Sequence, residues 1–115
     1  MTKEARIFLE HILESIDLIN SYTSNISKDD FFRSPQIQDA VIRRLEIIGE
    51  ATKNISTGIR KEYPEVPWRE LAGMRDILIH QYFGIDLELT WSTVKENLPG
   101  LKRQLSRVVE RLPRN

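Results

Sequence analysis

The stretch "WRELAGMRDILIHQYF", residues 68–83, has the three- and four-residue spacing of a helix, yet it carries Arg75, His80 and Tyr82 among apolar side chains. On an ideal helix each residue advances about 100°. With Arg75 at zero, Leu71, Met74, Ile77 and Leu78 gather on one side as a core face. Arg75, Ile79 and Tyr82 share a second stripe, and Asp76 with His80 form a third at i, i+4. Arg75 and His80 stand roughly 140° apart on an unbroken helix. They can meet one substrate only if the helix ends near His80, or if Arg75 reaches round on its long stem. Gly84, just beyond, favours an early end. Ile79 and Phe83 lie away from the core face, so this helix has more apolar surface than one bundle interior covers. A second copy of the chain is expected to cover the rest, giving a symmetric dimer whose cleft collects both sets of polar residues.

Outward from this stretch, the helical period continues almost everywhere. Ile7, His11, Ile12, Ile16, Ile19 and Tyr22 predict a first amphipathic helix from about Thr2 to Asn25, with His11 packed among them. Ser27 is placed to cap the turn "SKDDFFR", and Ser34 followed by Pro35 is a helix start. Ile37, Val41, Leu45, Ile48, Thr52 and Ile55 then form one stripe that Gly58 closes. Gly49, in mid-helix, costs about 1 kcal/mol against alanine and suggests that another helix comes close. "YPEVP" (63–67) is a stiff connector whose last proline opens the third helix. Asp86 caps a fourth, with Leu87, Trp91, Val94 and Leu98 inward. Pro99-Gly100 should kink or break it before Leu101, Leu105, Val108 and Leu112 continue the apolar side. No segment alternates with period two long enough to predict a strand. The expectation is one domain over residues 1–115, all-α, a compact up-and-down bundle of four to five helices that pairs as a homodimer.

The chain has 115 residues, 40% hydrophobic and 30% charged, a balance suited to a folded domain. The absence of cysteine removes disulfides and thiolate metal sites. "MTKEARIFLEH" lacks a signal-peptide pattern, and no apolar run approaches the roughly 20 residues of a membrane span. A soluble, cytoplasmic chain with no membrane partner is expected. The zero net charge argues against a general nucleic-acid coat, but residues 95–115 carry six lysines and arginines against two glutamates. Arg103, Arg107, Arg111 and Arg114 step by four, four and three along one face. That stripe fits RNA or an acidic partner; a plain solvated face is the competing reading.

An arginine beside a histidine, without a ligand cluster, suits phosphodiester cleavage in RNA. Imidazole, with a pKa of about 6.5, can accept the 2′-hydroxyl proton near neutral pH. A guanidinium can hold the phosphate through paired hydrogen bonds and stabilise the charge that grows in the transition state. An internal 2′-hydroxyl nucleophile restricts the chemistry to RNA and needs no bound ion. Two histidines in all, His11 and His80, leave little scope for a metal site, and none is expected. On composition alone, an Arg/His pair is more often structural.

"RDILIHQY" fits R-x4-H-x-Y and resembles the signature of the HEPN superfamily, specifically its HepT-like branch. "QDAVIRRLEIIGEATKNIS" (38–56) resembles the same branch around Ile48 to Ala51, and "VPWRELAGMRD" and "YFGIDLELTW" extend the likeness. The resemblance implies a helical-bundle homodimer and a ribonuclease toxin of a two-gene toxin–antitoxin module, with Arg75 and His80 as the catalytic pair. It also implies that Tyr82 receives AMP from ATP through an MntA-like nucleotidyltransferase antitoxin, the ATP being that partner's and the chain needing no cofactor of its own. Phosphates added there would occlude RNA and compete for Arg75. Asp76 would steer His80 or repel phosphate. Glu50 would buttress Arg75 from the neighbouring helix or face solvent. Trp68 and Trp91 are candidates for base stacking, though inward tryptophans usually belong to the core. The alternative to an enzyme is a non-catalytic helical module that docks a nucleotidyltransferase and presents its substrate. A purely structural dimer is a third possibility.

Overall fold

Two long helices, α1 (Thr2–Thr23) and α3 (Pro35–Lys53), pack along each other and frame the core. The computed structural model describes residues 2–80 and 84–113. On α1 the buried apolar positions are Ala5, Leu9, Ile12, Ile16 and Ile19, separated by alternating steps of four and three. Ile7 is 44% exposed and His11 is also exposed. The buried face is therefore turned from the one expected, because Ala5 and Leu9 take the inward positions assigned to Ile7 and His11.

α2 (Lys28–Arg33) starts at Ser27 with a reciprocal cap: the Asp30 amide donates to Ser27 Oγ at 3.0 Å and the Ser27 amide to Asp30 Oδ2 at 3.1 Å. Those bonds hold the Asp30 carboxyl below its usual pKa, the Ser27 backbone N–H contributing most. Phe31 from this short helix is fully buried and sits 5.4 Å from the Trp91 ring. Ser34 caps α3 through the Ile37 amide at 3.2 Å, with Pro35 in the first turn, as expected.

The end of α3 differs from the sequence reading. The helix stops at Lys53, and Gly58 lies inside a further short helix, α4 (Thr57–Glu62), capped by Ser56. Arg60 closes the end of α3, its guanidinium donating to the carbonyls of Thr52 at 2.7 Å and Ile55 at 3.1 Å. A basic side chain on terminal carbonyls satisfies them and opposes the helix dipole, so no glycine is required there.

Gly49 does mark a close approach. A Cβ built there would lie 3.1 Å from the Ala72 carbonyl oxygen and 3.4 Å from that of Leu71. Those carbonyls belong to α5 (Trp68–Ala72), followed after Gly73 by α6 (Met74–Leu78). The expected single helix over 68–83 is thus broken at Gly73 and finished by Leu78. Ile79 turns extended, and β1 (Ile79–His80) pairs antiparallel with β2 (Gly84–Ile85), Ile79 against Ile85 and His80 against Gly84. Gly84 has φ +80°, a left-handed conformation that glycine adopts without strain. The Asp86 amide donates to the Leu78 carbonyl at 2.8 Å, fastening the returning chain to the end of α6.

Asp86 caps α7 (Leu87–Ser92) through the Leu89 amide. The helix then widens to a π turn over Thr93–Asn97 before α8 (Leu98–Arg111). Pro99 explains the widening: it lacks an N–H and its ring crowds the carbonyl four residues back, so the preceding turn opens. Leu98, Leu101, Leu105, Val108 and Leu112 are buried as expected. Lys95 of the π turn donates to the Thr23 carbonyl at 2.9 Å and lies over the Trp91 ring, and Arg6 donates to the Leu112 carbonyl at 2.8 Å, so α1 is tied near both its ends to the C-terminal third of the chain. The all-α expectation holds, with the bundle cut into more and shorter helices than the periodicity suggested. Among the described residues no helix is long and apolar enough to cross a membrane.

Candidate functional site

α3 packs on its two flanks against α1 and against α5–α6. Its outward face therefore forms the floor of a groove of about 530 Å³, walled on one side by Phe8 and His11 and on the other by Ala72, Arg75 and Asp76. Arg43, Glu46, Ile47, Glu50 and Lys53 rise from the floor. The small residues Gly49 and Ala72 let the α5–α6 wall stand close to α3.

Arg75 stands on the α6 wall, bonded across to α3. Its side chain is 55% exposed, and its Nε donates to Glu46 Oε2 at 2.7 Å. Nη1 lies 3.9 Å from Asp76 Oδ1, a loose pairing with a carboxylate that is itself 79% exposed. Arg75 is thus held at Nε by Glu46, with Asp76 in looser range of Nη1, and its side chain lines the groove. The buttress expected from Glu50 comes from Glu46, one helical turn earlier. Glu50 lines the same groove and is exposed, with no bond to Arg75 among the described residues.

The helix end bears on His80. Because α6 stops at Leu78, the roughly 140° separation of an unbroken helix does not apply to Arg75 and His80, and the helical i, i+4 spacing between Asp76 and His80 is not kept either. The backbone of His80 is fixed by its pairing with Gly84. Its side chain, Tyr82 and Phe83 lie outside the described residues. Ile79 is partly buried against its own core, so the apolar excess expected of this stretch is smaller than the sequence suggested.

Two residues of the groove were missed or misplaced by sequence reasoning. Glu46 shares a face with Glu50 and was discernible only as an alternative acid one turn away. His11, expected among packed residues, stands exposed on the groove wall.

The basic stripe sits elsewhere. Arg103 and Arg107 line a second groove of about 700 Å³ between α5–α6 and α8, together with Glu65, Glu70 and Glu96, so its rim is of mixed charge. Arg111 is exposed, and Lys102 pairs with Asp17 at 2.7 Å. Trp68 is 6% exposed and donates its indole N–H to the Tyr63 carbonyl, which makes it a core residue. Trp91 is partly buried between Phe31 and Lys95. Among the described residues no three His, Asp or Glu side chains gather as a metal site would need.

The family described as ribonuclease HepT-like matches residues 12–108 of this chain. A "gamma-glutamylcyclotransferase and putative RNase" of Methanocaldococcus jannaschii is 54% identical over all 115 residues, and the chain spans about half of that protein, 52% of its length. A "probable ribonuclease HepT" of Thermococcus cleftensis is 48% identical over 108 residues, 94% of this chain and 98% of that protein. A "putative RNase" of Caldanaerobacter subterraneus is 40% identical over 109 residues, 95% and 97% of the two chains. No solved structure is a significant match.

Proposed function

The chain belongs to the ribonuclease HepT-like family, and from that premise we propose that it is a metal-independent endoribonuclease, the toxin of a type VII HepT/MntA-like toxin–antitoxin pair acting on RNA in the cytoplasm. His80 takes the proton of a ribose 2′-hydroxyl. The 2′-oxygen attacks the adjacent phosphorus, the 5′-oxygen leaves with a proton, and the products are a 2′,3′-cyclic phosphate and a 5′-hydroxyl end. Arg75 binds the non-bridging oxygens and stabilises the added negative charge. Two copies of the chain pair so that both Arg75/His80 sets face one cleft.

The observation that carries this reading is the placement of Arg75: its guanidinium is held at Nε by Glu46, its side chain is 55% exposed on the groove, and it stands on a helix that ends two residues before His80. Asp76 and Glu50 are supporting groups, tuning the charge at the groove. Arg103, Arg107 and Arg111 offer contacts to RNA or to the partner protein. Inactivation follows from AMP transfer. The Tyr82 oxygen attacks the α-phosphorus of ATP on the nucleotidyltransferase, pyrophosphate leaves and the phenolic proton is lost. The added phosphate then competes for Arg75.

The test is incubation of the purified chain with RNA in chelator. Wild type should cleave, while Arg75→Ala and His80→Ala should not; equal integrity of the RNA in all three reactions would end the nuclease reading. With ATP and the cognate nucleotidyltransferase, the mass should rise in AMP steps, and retention of the rise in Tyr82→Phe would show a different acceptor.

A further inference from the structure

Arg75 carries a long, flexible stem, and a guanidinium on such a stem samples several rotamers unless something orients it. Glu46 Oε2 supplies that orienting contact, accepting the Nε–H at 2.7 Å across the gap between α3 and α6. We propose that Glu46 is a positioning residue of the ribonuclease site, aiming the two Nη groups of Arg75 along the groove toward a phosphate. This inference rests on the ribonuclease reading and adds to it the residue that sets the geometry.

Three features make Glu46 suited to the task. It projects from a rigid 19-residue helix, and the side chain is only 31% exposed, less than that of Arg75 itself. The gap it bridges is set by backbone packing, since Gly49, one turn further along α3, lies against the carbonyls of Leu71 and Ala72 just before α6 begins. A carboxylate on Nε also leaves the Nη pair, touched only by the loose 3.9 Å contact of the exposed Asp76 carboxylate with Nη1, for a bidentate phosphate contact. Glu50, on the same floor, makes no such bond among the described residues, so the role falls on one of two acids that the sequence does not distinguish.

The arrangement carries an electrostatic consequence with a definite sign. Glu46 and Asp76 place two carboxylates beside the cation that must bind an anion. Binding of phosphate is weakened by their charge while its orientation is improved by the Glu46 bond. The two effects separate in kinetics: orientation is felt in kcat, and charge repulsion in KM.

The experiment compares wild type, Glu46→Ala and Glu46→Gln in chelator on one defined RNA, with thermal melting of each to confirm folding. Glutamine keeps an oxygen acceptor for Nε–H but not the charge. Glu46→Ala should lose about 100-fold in kcat, the cost of a small misplacement of a reacting contact, with no rise in KM. Glu46→Gln should recover most of that loss and show a KM below wild type. The Arg75 Nε–H resonance in a nitrogen-15 spectrum should be resolved in wild type and the glutamine variant and lost in the alanine one. A folded Glu46→Ala with wild-type kcat overturns the proposal and leaves the nuclease reading standing, as does a loss that glutamine fails to restore. Absence of cleavage by wild type overturns the nuclease reading, and with it this role.

Discussion

Replacing Gly49 with alanine tests the packing that sets the candidate site. The new methyl carbon would lie 3.1 Å from the Ala72 carbonyl oxygen and 3.4 Å from that of Leu71, both backbone atoms that no rotamer change can move aside. Inserting a methyl into such a contact typically costs about 1–3 kcal/mol. Against that, alanine in a helix interior gains about 1 kcal/mol over glycine. The net expectation is a destabilisation of about 1 kcal/mol, or a fall of about 4 °C in Tm for a domain of this size. Gly58 provides the contrast, since its added Cβ meets nothing nearer than Ser56 Oγ at 3.9 Å. There the propensity gain is unopposed, and Gly58→Ala should stabilise by about 0.5–1 kcal/mol. Urea unfolding followed by circular dichroism measures both, with an unchanged slope showing that only stability moved. Equal stabilisation by the two substitutions would refute the close approach of α3 and α5, and with it the account of how Glu46 reaches Arg75.

Other outcomes follow from the core. Ser15 is 1% exposed and its Oγ has no hydrogen-bond partner among the described residues, so Ser15→Ala should raise stability by about 1 kcal/mol in the same assay; a loss would reveal a partner for the hydroxyl. Burial first, then the charge and hydrogen bond of Glu62, push the Tyr63 phenol above its ordinary pKa of 10.0. A raised folded value means that its stabilisation is whole below the unfolded pKa and is lost as pH climbs through the higher one. Stability should therefore decline in strongly alkaline solution, and Tyr63→Phe should flatten that decline; an identical slope in both proteins would assign it to other groups.

What the sequence disclosed and what it concealed divide along local and non-local physics. The caps at Ser27, Ser34 and Asp86 were legible because each is a hydrogen bond between residues three apart. The inward stripe of α8 was legible because its period is unambiguous. Gly49 was legible as a close approach, though not which helix approached. The rotation of α1 was not, since Ile7 and His11 fit the period as well as Ala5 and Leu9, and only the neighbouring helices decide between them. The breaks at Gly73 and Leu78 were hidden by an apolar pattern that continues through them, and the second is held by the pairing of β1 with β2 and the Asp86 bond to Leu78. The choice of Glu46 over Glu50 depends on where α6 sits along α3, a tertiary quantity. The R-x4-H-x-Y spacing pointed to Arg75 and His80, while the residue that orients Arg75 lay 29 positions away.

A DNA oligonucleotide with one ribose at a defined position measures the central claim most directly, incubated with wild-type chain in excess chelator. The account predicts scission only on the 3′ side of that ribose, leaving a 2′,3′-cyclic phosphate, and none in an all-deoxy strand or with His80→Ala. Cutting of the all-deoxy strand, or activity that appears only when a divalent ion is restored, would contradict it.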